Sequence, residues 1–131
     1  RVKFLLVHGS PRKNNEDILP DTPLSEVEKM LENVDADVVL CGHTHIPCGF
    51  QTESRKTVVN AGSIGRTFFV EPNSYPKACY LIIEVDNGSC VFQHQFVEYD
   101  KEQASEKLAA REFEGADKLA GMLINPEIRH F

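Results

Sequence analysis

Two short apolar runs separated by an amphipathic stretch most constrain how this chain can fold. The runs are Phe4 to Val7 and Val38 to Cys41. Continuous apolar runs are typical of strands buried on both faces, and a helical crossover between two strands favours parallel pairing. Thr22 is the predicted N-cap of the helix, with Pro23 at its first position. The apolar helical positions are Leu24, Val27, Met30, Leu31 and Val34.

Beyond the second run the pattern favours hairpins and then helices, so the chain as a whole is predicted to be α/β. The predicted hairpin strands are Phe50 to Glu53, Thr57 to Asn60, Ala78 to Val85 and Cys90 to Tyr99. An Asp-Asn-Gly-Ser turn separates the last two strands. Helices are predicted from an Asp100 cap through Ala109, and over Ala116 to Leu123.

Composition excludes several classes of function. The 131 residues include 14 basic and 20 acidic side chains, a net charge of −6, and no basic cluster that suits duplex nucleic acid. No apolar run approaches the ~20 residues of a membrane helix, and no signal-peptide pattern opens the chain. We therefore expect a cytoplasmic protein.

Two further features concern the chain's surroundings. The start at Arg1, directly before an apolar run, is typical of an internal position in a longer protein. The apolar run Phe68 to Val70 predicts a subunit contact in a homo-oligomer.

Histidines follow both of the first two predicted strands. His8 ends the first strand, and Gly42-His43-Thr44-His45 follows the second. The carboxyl ends of strands in open α/β sheets line the ligand crevice, and neutral imidazole is the commonest metal ligand. Gly42 is predicted to permit a tight turn beside these ligands. Spacing alone leaves open that each histidine is only a polar loop residue.

Other histidines and the cysteines have simpler interpretations. His94 is predicted to be a half-buried strand residue and His130 a solvated residue of the tail. Cys41, Cys48, Cys79 and Cys90 form no CxxC pair and are predicted to be free thiols. The alternative is a closed zinc site formed by Cys41, His43, His45 and Cys48.

Three blocks resemble the last conserved motifs of the calcineurin-like metallophosphoesterases, in the same order. They are Val7-His8-Gly9-Ser10-Pro11-Arg12, Gly42-His43-Thr44-His45 and Val59-Asn60-Ala61-Gly62-Ser63-Ile64-Gly65. The likeness is to the small bacterial and archaeal phosphodiesterase branch. It implies that residues 1–99 are the C-terminal portion of a metallophosphoesterase domain, the second half of a four-layer αββα sandwich. Residues 100–131 would then be a helical extension packed on that domain.

The resemblance also implies a reaction and a set of ligands. In the family, two divalent ions (Mn, Fe, Zn, Mg or Ni) share a bridging hydroxide that attacks a phosphate mono- or diester. His8 and His43 would bind the second ion and His45 the first, with Thr44 as a spacer. Asn60, Gly62, Ser63 and Gly65 would form a structural loop beside the site. Arg12 and Arg66 flank the expected crevice and are candidates for binding substrate phosphate. The alternative is that each is an exposed loop arginine that contacts only solvent.

Other ligand blocks of the family do not occur in this sequence. They are Asp-x-His, Gly-Asp, and Gly-Asn-His followed by Asp or Glu, which carry the bridging aspartate and the general acid. The chain alone thus has no catalytic acid, is predicted to be inactive, and is expected to need an N-terminal half for turnover. The alternative function is a protein-interaction module that kept this fold and lost catalysis, as a retromer subunit of the superfamily has done.

Overall fold

Six strands and three helices make up the described part of the chain. A computed structural model describes residues 1–68 and 77–126. The strands are β1 (Phe4–Leu6), β2 (Val38–Cys41), β3 (Cys48–Gln51), β4 (Thr57–Asn60), β5 (Ala78–Asp86) and β6 (Ser89–Val97). The helices are α1 (Leu24–Met30), α2 (Lys101–Ala109) and α3 (Ala116–Ile124). The predicted α/β class is confirmed.

The first four strands form one sheet in the order β1-β2-β4-β3. β1 and β2 are parallel, as the helical crossover predicts, and β2 is also parallel to β4. β3 returns antiparallel to β4 through the turn at Thr52 to Lys56. β5 and β6 form a separate antiparallel hairpin. Both predicted hairpins are confirmed.

The hydrophobic core lies between α1 and one face of the four-stranded sheet. Val27 of α1 is fully buried, and Met30 and Leu31 are nearly so. They pack with Ile18 and with the sheet residue Val39, which are also buried. Burying a side chain of this size contributes roughly 1.5–3 kcal/mol, so these few residues hold the helix on the sheet.

The prediction that the first strand is buried on both faces is wrong. Side chains of Phe4 and Leu6 are 38% and 71% exposed, and only the alternate residues Leu5 and Val7 pack against the core. β1 is an edge strand, and α1 covers one of its faces. The other face borders an apolar groove of about 450 Å³ that β5 lines from the far side.

The start and end of the first helix also differ from the prediction. Its N-cap is Pro23, because the Thr22 hydroxyl accepts a hydrogen bond from the backbone amide of Leu19 instead. The helix ends at Met30, and a left-handed residue at Asn33 turns the chain before Val34. The second helix begins as predicted, since the Asp100 carboxylate accepts a hydrogen bond from the Gln103 amide.

Some expectations concern residues beyond the described ranges, and one concerns membranes. Phe69, Val70 and His130 lie outside the residues that the structure describes, so the expected subunit contact stays a prediction. Over residues 1–68 and 77–126, no helix has the length and apolarity that crossing a bilayer demands.

Candidate metal centre

The loops after β1 and β2 bring two of the candidate ligands together. Parallel pairing places the carboxyl ends of both strands at one edge of the sheet. Hydrogen bonds continue past the strands, from Val7 N to Leu40 O and from Gly42 N to His8 O, each 2.9 Å. His8 and His43 therefore leave the same sheet edge side by side.

Two nitrogens of His8 and His43 lie close together. Nε2 of His8 is 3.1 Å from Nδ1 of His43, and the rings meet edge to face with centroids 5.0 Å apart. Two imidazole nitrogens bound to one zinc ion at about 2.0–2.1 Å would lie about 2.9–3.4 Å apart at ordinary coordination angles. The observed separation fits a shared ion, so these two residues suit the family's metal chemistry.

The third candidate ligand, His45, is anchored by different contacts. Its Nδ1 donates a hydrogen bond of 2.6 Å to the backbone carbonyl of Arg66, and its ring lies 5.8 Å from that of Phe68. A histidine held through Nδ1–H keeps a lone pair on Nε2, the arrangement found in metal-bound histidines. His45 therefore has Nε2 available to coordinate an ion. Its ring is held by the Arg66 carbonyl, whereas His8 and His43 contact each other.

The described residues do not form a complete metal site. Within residues 1–68 and 77–126, no group of three or more His, Cys, Asp or Glu side chains is arranged to hold an ion. The carboxylate near the histidine pair, Asp17, lies on the other side of His43, with Oδ1 3.4 Å from Nε2. Sequence reasoning missed Asp17 because it stands in a polar loop without periodicity or motif.

His43 and His45, in the loop after β2, have an unusual backbone conformation. His43 and His45 have φ values of +66° and +63°, in the left-handed region that non-glycine residues rarely adopt. Such conformations cost of order 1–3 kcal/mol and cluster at functional sites. The tight turn predicted at Gly42 does form, since the Thr44 amide donates a hydrogen bond of 2.7 Å to Gly42 O, but its left-handed residue is His43. The φ of Gly42 itself is not positive, and an added Cβ would meet only the His8 carbonyl oxygen, at 3.9 Å.

A buried asparagine holds the loop that carries these histidines. Asn60 is fully buried, and its Nδ2 donates hydrogen bonds to Gly42 O (2.8 Å) and Thr44 Oγ1 (2.9 Å). Its Oδ1 accepts from the Gly62 amide at 3.0 Å. Thr44, expected to be a spacer, is 2% exposed and connects the loop to β4 through this contact.

The two glycines and the serine of the third block differ in what they do. Gly62 has a φ of +79°, and an added Cβ would lie 2.9 Å from the sulfur of Cys79. The Ser63 hydroxyl accepts a hydrogen bond from the Arg66 amide at 3.1 Å. Gly65 has open space around it, so its surroundings do not require glycine.

The candidate substrate arginines are engaged with other groups. Arg12 forms two hydrogen bonds to Glu16, at 2.9 Å from Nε and 2.6 Å from Nη2, and Glu16 also accepts from the Ser10 hydroxyl. Arg66 Nη2 lies 3.4 Å from the sulfur of Met122, and its guanidinium carbon is 5.4 Å from the centre of the Phe68 ring. Phosphate binding by either arginine stays a prediction.

The cysteines and His94 lie in the environments that the sequence predicts. All four cysteines are free. Burial raises the pKa of the Cys41 thiol to about 12 and that of Cys48 to about 11, so both are protonated near neutral pH. In residues 1–68 and 77–126, the closed zinc site of Cys41, His43, His45 and Cys48 is not assembled, because no group of three or more His, Cys, Asp or Glu side chains is arranged to hold an ion. His94 is half-buried and donates a hydrogen bond of 2.7 Å to the carbonyl of Asn60.

Comparisons with known proteins identify the family and the fold of the chain. A family model of the calcineurin-like phosphoesterase superfamily domain matches residues 1–88. The fold is similar to that of a hypothetical protein from Pyrococcus horikoshii OT3, with a TM-score of 0.74, 25% sequence identity, and coverage of 94% of this chain and 46% of that one. For a metallophosphoesterase from Sphaerobacter thermophilus the TM-score is 0.66 and the identity 20%, over 95% and 56% of the two chains.

These matches confirm the predicted metallophosphoesterase fold. The chain spans about half the length of both solved proteins. No curated protein sequence matches it. The family model covers about two thirds of the 131 residues and includes every candidate metal ligand. The chain belongs to the calcineurin-like phosphoesterase superfamily.

Proposed function

We propose that this chain supplies the histidine-rich half of a metal-dependent phosphoesterase that hydrolyses a phosphate mono- or diester. The 3.1 Å approach of His8 Nε2 to His43 Nδ1 carries the proposal, because it suits two ligands of one ion. His45, with Nδ1 on the Arg66 carbonyl, offers Nε2 to a second ion. When bound, divalent ions activate water and neutralise charge on the phosphate oxygens.

The residues of this chain bind and orient rather than transfer protons. Asn60 fixes the loop of His43 and His45 through Gly42 O and Thr44 Oγ1. Three neutral imidazoles bring no negative charge with which to hold two divalent cations close together, and the family's carboxylate blocks do not occur in the sequence. We therefore propose that this chain binds at most one ion weakly, and that turnover requires carboxylates and a general acid from additional polypeptide.

Hydrolysis assays on two lengths of polypeptide test this function. The substrates are p-nitrophenyl phosphate and bis(p-nitrophenyl) phosphate, each with Mn²⁺, Ni²⁺ or Zn²⁺ added. We expect no metal-dependent turnover from the 131 residues alone, and turnover from a longer product that also carries the carboxylate blocks. His43→Ala in that product should reduce kcat/KM at least about 100-fold, since loss of an outer-shell partner alone costs 10–100-fold.

Several outcomes would contradict the proposal or its parts. Robust metal-dependent turnover by the 131 residues alone would refute the need for further ligands. Turnover in the longer product that does not change in His43→Ala would refute the metal centre. A longer product that binds ions tightly but hydrolyses neither ester would favour the alternative, an interaction module without catalysis.

A further inference from the structure

We infer that Asp17 is a positioning residue that fixes the tautomer of His43 and leaves its Nδ1 free to bind a metal ion. The inference rests on the proposed metal centre and adds a residue that the family motifs do not include. Asp17 lies in the loop between β1 and α1, and its Oδ1 is 3.4 Å from Nε2 of His43. On the other side of the same ring, Nδ1 faces His8.

The charge of Asp17 decides which nitrogen of neutral His43 carries the proton. A carboxylate only accepts hydrogen bonds, and a neutral imidazole has one N–H donor and one bare nitrogen. If Nδ1 carried the proton, the bare Nε2 would lie next to the carboxylate, and the two would repel each other. With the proton on Nε2, the N–H lies next to Asp17, and the lone pair of Nδ1 is left for the contact with His8.

The contact between the two histidines is consistent with this assignment. With Nδ1 of His43 as acceptor, Nε2 of His8 must donate the hydrogen bond of 3.1 Å when no ion is bound. To bind an ion through Nε2, His8 would instead carry its proton on Nδ1. Asp17 thus keeps His43 in the tautomer that can bind an ion at Nδ1. The role of Asp17 does not extend to His8, which would change tautomer on binding.

The contact with Asp17 is longer than the usual N–H···O hydrogen bond of roughly 2.7–3.2 Å. Both side chains are partly open to solvent, with exposures of 30% for His43 and 43% for Asp17. With a cation at Nδ1, the Nε2–H of His43 would be a stronger donor toward Asp17. Metal-bound histidines usually donate this second N–H to a carboxylate or a carbonyl, and His45 does so to the Arg66 carbonyl.

Two measurements on the ¹⁵N-histidine-labelled chain test the inference. Two-bond ¹H–¹⁵N spectra of the metal-free chain, taken well above the ordinary imidazole pKa of about 6.5, report the tautomer of each ring. Zn²⁺ titration in the same spectra reports affinity. Asp17→Ala should mix the tautomers of His43 and weaken Zn²⁺ binding about 10–100-fold, the usual loss for an outer-shell partner. Asp17→Glu should restore part of both, because it keeps a carboxylate.

The control is Asp21→Ala, which removes an exposed carboxylate from the same loop. It should leave both the tautomer and the affinity unchanged, and circular dichroism should show that all variants stay folded. Equal tautomers and equal Zn²⁺ affinity in Asp17→Ala and Asp21→Ala would overturn the role of Asp17. If the chain binds no Zn²⁺ but the tautomer of His43 still depends on Asp17, the role of Asp17 is supported. Only the proposed metal centre is then contradicted.

Discussion

The side-chain amide of Asn60 donates a hydrogen bond of 2.9 Å to the hydroxyl oxygen of Thr44, with both residues almost entirely buried. This contact joins β4 to the loop after β2, and a second one from the same amide reaches Gly42 O. The positions of His43 and His45 therefore depend on a residue of another strand.

We expect Asn60→Ala to destabilise the chain by about 1–3 kcal/mol for each buried partner left without a hydrogen bond. The loop loses its connection to β4, so Zn²⁺ affinity should fall together with stability. Urea unfolding and Zn²⁺ titration measure the two effects. Asn15→Ala, at an exposed position, is the control and should change neither by more than about 0.5 kcal/mol. Equal behaviour of the two variants would contradict the role given to Asn60.

Gly9→Ala should disrupt the loop that carries His8. A Cβ at this position would lie 2.5 Å from Asn14 O and 2.6 Å from Lys13 O, which are backbone atoms that cannot move without changing the loop. We expect a loss of about 3 kcal/mol, the upper end for overpacking, measured by thermal and urea unfolding. Gly65→Ala, where nothing lies within 4 Å, should be nearly neutral. If Gly9→Ala leaves the free energy of unfolding unchanged, the close approach of the Lys13 and Asn14 carbonyls to Gly9 is wrong.

Local patterns predict most of the secondary structure of this chain. Periodicity and turn chemistry predict the hairpins, the first helix and the parallel pair because those signals lie within a few residues of one another. The burial of β1 could not be predicted in this way. Whether Phe4 and Leu6 are covered depends on what packs on the second face of the sheet, which the residues of the strand do not encode.

Prediction of the site was limited for a similar reason. The motifs identify His8, His43 and His45, and the structure brings the first two together. They do not identify Asp17 or the contact between Asn60 and Thr44, because these contacts join segments far apart in sequence. Residue type predicts the tight turn at Gly42, which forms, but not that the left-handed conformations fall on His43 and His45, whose side chains the site needs.

Left-handed backbone at His45 predicts an unusual preference for glycine. His45→Ala and His45→Gly both remove the imidazole, but only alanine keeps a Cβ in conflict with a φ of +63°. We expect the glycine variant to be more stable than the alanine variant by about 1 kcal/mol in urea unfolding. At Lys118, within α3, the order should reverse, because glycine costs about 1 kcal/mol in a helix. Alanine more stable at both positions would refute a strained His45.

Glu16 should make the stability of the chain sensitive to acid. Hydrogen bonds from Arg12, and after it from Ser10, lower the pKa of Glu16 below its ordinary value of 4.5. Below that value the unfolded chain binds the proton more readily than the folded one, so the stabilisation is present above it and is lost as pH falls through the folded pKa.

Glu16→Gln removes this titration, and its free energy of unfolding should therefore fall less steeply below pH 4.5 than that of the unmodified chain. Urea unfolding over a series of acidic pH values measures the two slopes. Glu32→Gln, which neutralises an exposed carboxylate after α1, should keep the steeper slope. If Glu16→Gln and the unmodified chain have the same slope, the contacts with Arg12 and Ser10 do not lower the pKa of Glu16 in the folded chain.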